Sequence, residues 1–257
     1  MTLPVVFFGH GSPMNAIEDN RYTRLWKAMG DKLPRPRAVL AVSAHWYTRG
    51  TGVTAGERQK TIHDFGGFPQ ALFDIEYSTP GDPVLARRVQ ELLSPIPVHA
   101  DESWGLDHGT WSVLMHTYPE ADIPVLQLSI DATQAPAWHL AIGARLAPLR
   151  DEGVLVAGFG NVVHNLQRMK RADDAPPYEW AQNFERFCKE ALLAGDHHAL
   201  ADYGRLGEDA ALSVPTAEHY LPLLYVAGAK AGDEPVTLLA EGIEHGSLSM
   251  LCVQIGA

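Results

Sequence analysis

Cysteine is nearly absent from the chain: only Cys188 and Cys252 occur, far apart and outside any CxxC pattern. A thiolate-rich structural zinc site is thereby excluded, and the two read as reduced, buried thiols of a cytosolic protein. Basic residues are scarce as well. Twenty Lys and Arg against 31 Asp and Glu give a net charge of −11, which argues against a broad nucleic-acid footprint and against docking on anionic membranes. No run of about 18 apolar residues exists, so no transmembrane helix is expected. The opening MTLPVVFFGHGSP lacks the charged n-region and long apolar stretch of a signal peptide, and a cytoplasmic location is expected. Also missing are a GxSxG elbow, a GxxxxGK[ST] loop, a GxGxxG turn after a strand and an HExxH helix. Serine-hydrolase, common nucleotide-binding and zincin chemistries lose their usual frames.

What the chain has in quantity is histidine, twelve in 257 residues, several beside Gly, Asn or Asp rather than inside apolar periodic runs. The 46% hydrophobic content supplies a sizeable core, and no repeat or polar linker interrupts it, so residues 1–257 are read as one domain. Short apolar runs at residues 5–8, 38–43, 123–130 and 154–157 predict buried strands, each ending at Gly, Ser or Asp. Residues 236–240 and 248–255 predict closing strands. Helical spacing is seen over 82–93, 135–149 and 178–193, and a further helix is expected from Thr216 as N-cap to about Gly228. The alternation predicts an α/β domain with a central, largely parallel or mixed sheet flanked by helices. In such sheets, ligands gather beyond the carboxyl ends of the strands. His10 and His45 closely follow the first two runs and His164 the fourth.

Each histidine also has a plainer explanation. His10, between Gly9 and Gly11, is a candidate ligand or a turn residue bonded locally. His45 ends a strand, where it either faces a site or is a satisfied buried histidine, and Trp46 beside it is a candidate pocket wall. Asn161 and Asn165 could orient His164. His219, taken alone, fits a surface residue as well as a ligand. His108 follows Asp107, yet sequence neighbours seldom pair directly. His63 heads the Gly- and Phe-rich loop His63-Asp64-Phe65-Gly66-Gly67-Phe68-Pro69, which either wraps an aromatic ligand or packs on the surface. His99, His116, His139, His197, His198 and His245 are read as structural. Imidazole ligation of iron, zinc or copper is the chemistry left open.

Six ordered motifs carry a resemblance over residues 5–256: GHGSPMN (9–15), SAHW (43–46), IHDFGGFPQALFD (62–74), WGLDHGTW (104–111), GNVVHN (160–165) and EHYLPLLY (218–225). Together they resemble the bacterial 4,5-DOPA extradiol dioxygenases, within the class III extradiol ring-cleaving group that includes the catalytic subunit of protocatechuate 4,5-dioxygenase. The resemblance implies one divalent metal ion at one end of an α/β sheet, zinc as purified and Fe²⁺ for turnover, with a catechol and O₂ as substrates. It implies His10 and His45 as metal ligands and His219 where the third is expected. His164 is implied as the acid/base of ring cleavage and as a further zinc ligand in this branch, and His108 as a catalytic residue near the substrate oxygens. His63, Phe68 and Trp46 are the expected substrate contacts. Ring-cleaving members usually complete two histidines with Glu, so Glu218 beside His219 is a rival third ligand. A zinc-dependent hydrolase and a non-catalytic metal-binding protein of the same fold are the competing readings.

Overall fold

Val5–Gly9 (β1) is buried at every position, which is why it shows no polar alternation. Its side chains nevertheless divide: Val5 and Phe7 enter one apolar cluster, Val6 and Phe8 a second, so the strand has a core on each face. Ala38–Thr48 (β2) divides likewise, with Leu40 and Val42 on the first side and Val39 and Ala41 on the second. Burying one such large side chain contributes about 1.5–3 kcal/mol. The structure, a computed structural model, describes residues 2–172 and 175–257.

The further strands are β3 (Thr51–Thr54), β4 (Val98–Asp101), β5 (Val125–Asp131), β6 (Val154–Gly160), β7 (Val236–Ala240), β8 (Ile243–Glu244), β9 (Leu248–Ser249) and β10 (Cys252–Ile255). Eight of the ten strands among the described residues form one sheet in the order β4-β3-β5-β2-β6-β1-β10-β7, and β8 pairs with β9. Strands β5, β2, β6 and β1 run parallel, whereas β3 opposes β5 and β10 opposes both β1 and β7. The sheet is therefore mixed, with a parallel centre.

Helices cover both sides. They are α1 (Arg21–Lys32), α2 (Gln70–Phe73), α3 (Pro83–Leu93), α4 (His108–Thr117), α5 (Pro136–Leu146), α6 (Pro148–Asp151), α7 (Glu179–Ala194), α8 (His197–Ala201), α9 (Glu208–Ser213) and α10 (Leu221–Gly228). Residues of α3, α5, α7 and α10 join the cluster of Val5 and Phe7; residues of α1 and α4 join that of Val6 and Phe8. The result is a single-domain α/β fold, a large mixed sheet between helical layers. Among the described residues no helix is long and apolar enough to cross a membrane.

Several boundaries differ from the sequence expectation. Strand β2 does not stop at Ser43 but runs on to Thr48. Its pairing with β5 jumps from Val42–Leu128 to Tyr47–Ile130, so Ser43 to Trp46 form a bulge that keeps the backbone extended while re-aiming side chains. The helix expected over 135–149 divides at Ala147, since Pro148 has no N–H to continue the ladder. The helix expected from Thr216 starts at Leu221, and the Thr216 hydroxyl donates to Glu218 instead of capping. The closing strand breaks into β9 and β10.

Candidate metal centre

Because β2, β6 and β1 are parallel neighbours, their carboxyl ends open on one side of the sheet. His10 follows β1 directly, and its main-chain N–H donates to the Gly160 carbonyl at the end of β6 (3.2 Å). His45 sits in the β2 bulge. His164 lies just beyond β6, with its N–H donating to the Ser213 carbonyl (2.9 Å). His219 immediately precedes α10 rather than lying inside it, and its carbonyl accepts from Asn161 N–H (2.9 Å). A Cβ on Gly160 would lie 2.2 Å from that carbonyl, so only glycine lets the His219 segment approach β6. His108 opens α4, where the Asp107 carboxylate caps the helix by accepting from Thr110 N–H (3.2 Å).

Five imidazoles converge from these elements. The His10 ring centroid is 5.1 Å from that of His45, 5.5 Å from His219 and 5.7 Å from His108. One potential ligand atom from each of His10, His45 and His219 lies within 4.8 Å of the other two. In all three, Nδ1 faces an oxygen: the Gly11 carbonyl for His10 (3.0 Å), Asp64 Oδ2 for His45 (3.0 Å) and Glu218 Oε1 for His219 (3.2 Å). An accepting oxygen there fixes the proton on Nδ1 and leaves Nε2 as a lone pair. Those three Nε2 atoms are buried and have no hydrogen-bond partner among the described residues. A buried polar atom without a partner costs about 1–3 kcal/mol, and one divalent cation would satisfy all three. The residues present fit such an ion.

The electrostatics favour neutral imidazoles at His10 and His219. Burial lowers the His10 and His219 pKa values well below the ordinary imidazole value, helped by the neighbouring His45 and His164 respectively. Burial also pulls on His45, but hydrogen bonding to Asp64 and the charges of Asp107 and Asp64 outweigh it and raise its pKa. Asp64 has an exposed backbone, but its side chain is only 19% exposed. Burial pushes its carboxyl up; the hydrogen bonds from His108 and His45 win and hold it well below the usual carboxylate range.

Asp64 is the residue that the sequence reading overlooked. Oδ1 accepts from both the main-chain N–H (2.9 Å) and the Nδ1–H (3.0 Å) of His108, while Oδ2 takes His45. Asp107, the acid next to His108 in sequence, instead accepts from Ser43 and Gln127 (2.7 and 2.6 Å). A Glu218 oxygen also lies within 4.8 Å of nitrogens on His164 and His219. Glu218 Oε1 accepts from Thr216 (2.7 Å) and faces His219 Nδ1, whereas the Nε2 atoms of His10, His45 and His219 have no partner among the described residues and make the better cation site. Glu218 backs an imidazole here. His164 stacks on His219, centroids 3.5 Å apart and planes 4° from parallel. Asn161 and Asn165 do not orient it: their amides donate to the Ser249 and Leu212 carbonyls and brace the backbone.

A pocket of about 440 Å³ opens over the histidines, lined on its apolar side by Phe65, Phe68, Leu166, Met169 and Leu248. Two expected contacts lie outside that lining. Trp46 stacks on Trp104 (5.5 Å, 6°) beside a different cleft, because consecutive residues of an extended chain point to opposite sides. His63 faces the Ile75 carbonyl through Nε2 (3.1 Å) and packs against Phe65 and Trp111, behind the wall rather than on it. Leu166 and Met169, 58% and 39% exposed, had no periodic signal to reveal them.

Residues 6–252 match the family described as the catalytic LigB subunit of aromatic ring-opening dioxygenase. The chain is 57% identical to the 4,5-DOPA dioxygenase extradiol of Escherichia coli (strain K12), covering 99% of this chain and 95% of that protein. It is 37% identical to the protein of the same name from Beta vulgaris, over 95% and 92%. The crystal structure of an uncharacterized Escherichia coli K12 protein superposes with a TM-score of 0.86 at 52% identity, covering 99% of this chain and all of that one. With nearly the whole sequence matched and the histidines gathered at one end of the sheet, the chain belongs to the LigB family of aromatic ring-opening dioxygenases.

Proposed function

We propose that the chain is an extradiol dioxygenase that opens a catechol beside its diol, with both atoms of O₂ ending in a muconate semialdehyde, and that L-DOPA or a related catechol is the substrate. Three partnerless Nε2 atoms beneath an aromatic-walled pocket carry this reading. The relatives named for 4,5-DOPA cleavage support the substrate class. His10, His45 and His219 would hold one divalent ion, Fe²⁺ for turnover and Zn²⁺ as ordinarily purified; imidazole suits both, and supply then decides. Such an iron ion supplies Lewis acidity toward the catechol oxygens and an electron path between ring and O₂.

The chain's own groups do the rest. Burial, with His45 and His108 nearby, lowers the His164 pKa to about 4, so at neutral pH it is an unprotonated base for the second catechol hydroxyl. A positioned base contributes about 10²–10⁴-fold. His108, with Nδ1–H held by Asp64, turns Nε2 to the pocket that it lines and carries a proton to and from substrate oxygens. Phe65 and Phe68 hold the ring plane, and Leu166 and Met169 shield it from water. The net charge of −11 supports a small-molecule partner over nucleic acid, and two buried free thiols fit a reducing cytoplasm.

The test is anaerobic loading with Fe²⁺ followed by L-DOPA or catechol in air. A yellow ring-fission chromophore with matching oxygen uptake is expected. No uptake across a panel of catechols sinks the reading in favour of a zinc hydrolase or a non-catalytic relative.

A further inference from the structure

We infer that Asp64 is a positioning residue whose single carboxylate sets the tautomer of two imidazoles at once, the cation-facing His45 and the substrate-facing His108. The inference rests on the three-histidine site proposed above. A carboxylate only accepts hydrogen bonds, so each imidazole opposite it must carry its proton on Nδ1. Asp64 faces His45 through Oδ2 and His108 through Oδ1, both at 3.0 Å, and the His108 main-chain N–H fixes the carboxylate's orientation at 2.9 Å. The two rings lie 4.0 Å apart. Cation capture and the accepting nitrogen offered to substrate therefore depend on one side chain from the loop that precedes α2, remote in sequence from both histidines. A loop displacement that moved Asp64 would release both imidazoles together.

The sharpest test is Asp64→Asn, which keeps the shape and makes one oxygen an NH₂ donor. The Oδ1 position serves two N–H groups of His108, so the amide carbonyl belongs there and the NH₂ faces His45. His45 must then move its proton to Nε2, the nitrogen left free for the cation. Zinc affinity, read by chelator competition, should fall about 10–100-fold, as when an outer-shell partner of a metal histidine is lost. Imidazole ¹⁵N shifts of the metal-free variant should show His45 switched to the Nε2–H form and His108 unchanged. Asp64→Ala should release both rings. Wild-type zinc affinity in Asp64→Asn, or a His45 that keeps its Nδ1 proton there, overturns the inference. Should the variants not fold, the metal-free wild type decides, at a pH where both rings are neutral: the Nδ1–H tautomer on both rings supports the inference, and the Nε2–H tautomer on either overturns it. None of these measurements uses ring opening. Failed catechol turnover would therefore sink the proposed activity alone, and failure of the wild type to bind zinc would sink the site reading.

Discussion

The imidazoles of His164 and His219 lie face to face, 3.5 Å between centroids and 4° from parallel. An imidazole lone pair lies in the plane of its ring, so a cation in the plane of His219 is displaced from the plane of His164. Stacked rings of this kind do not aim their in-plane lone pairs at one point, which supports the proposed division of ligation to His219 and proton transfer to His164. His164→Ala should keep most of its zinc and lose about 10²–10⁴-fold in ring opening, the usual contribution of a general base. His10→Ala should lose both. Metal analysis beside oxygen uptake checks this, and equal metal loss in both variants would make His164 a ligand.

Gly160 ties the same centre to the sheet. A methyl there meets the His219 carbonyl at 2.2 Å, and that carbonyl cannot swing away without breaking its bond to Asn161 N–H. Gly160→Ala should destabilise the fold by about 1–3 kcal/mol, the usual range for overpacking, and weaken zinc binding by displacing His219. Gly204→Ala, where nothing lies within 4 Å, is the control and should change neither. Thermal denaturation with zinc titration reads both.

Much of this arrangement could be read before any coordinates. The apolar runs of β1 and β6 were visible because strands buried on both faces need no polar alternation, and the glycines beside His10 and before His164 marked the turns that follow. Hidden were features set by partners distant in sequence. The bulge carrying His45 exists only through register with β5, and Asp64 reaches His108 across α2, α3 and β4. Proximity in sequence misled at Trp46, which lies beside His45 yet points away, whereas the doubt about an Asp107–His108 pair holds, since Asp107 accepts from Ser43 and Gln127.

That contrast separates substrate contacts from packing. Phe68 lines the pocket, whereas Trp46 is 5% exposed and stacked on Trp104. Phe68→Ala should raise KM for a catechol several-fold with little loss of stability. Trp46→Ala should cost about 3–5 kcal/mol, as large aromatic truncations in cores do, while the folded fraction keeps its kcat/KM. Steady-state kinetics and urea denaturation on both variants give the comparison, and a KM effect confined to Trp46 would relocate the binding wall.

Three buried Nε2 atoms without partners make the metal-free centre a local weakness. An ion that binds only the folded chain stabilises it by RT ln(1 + [L]/Kd), about 2.7 kcal/mol at a hundredfold excess over Kd. Zinc should therefore raise Tm in a concentration-dependent way and EDTA should reverse it. Neither should move the Tm of His10→Ala. A zinc-induced rise retained in that variant would place the ion elsewhere.

Far from the centre, Arg150 predicts the acid limb of stability. Its guanidinium, 1% exposed, donates to the carbonyls of Leu3 (2.7 Å) and Ala229 (2.9 Å) and to Glu234 (2.7 Å), tying the start of the chain to the segment before β7. Hydrogen bonding from Arg150 holds the Glu234 carboxyl below its ordinary value of 4.5, against a smaller opposing push from burial. A carboxyl depressed on folding stabilises the native state above its unfolded pKa, and that contribution is lost as pH falls through the folded value. Glu234→Gln should accordingly be less stable at pH 6 by about 1–3 kcal/mol, the range for a hydrogen bond to a charged group. The gap from wild type should close as pH drops below 4.5. Urea midpoints of the two proteins at pH 6 and pH 3.5, both in EDTA to remove the metal contribution, decide it: a gap that stays constant with pH would mean that the Arg150–Glu234 pair contributes nothing through its charge.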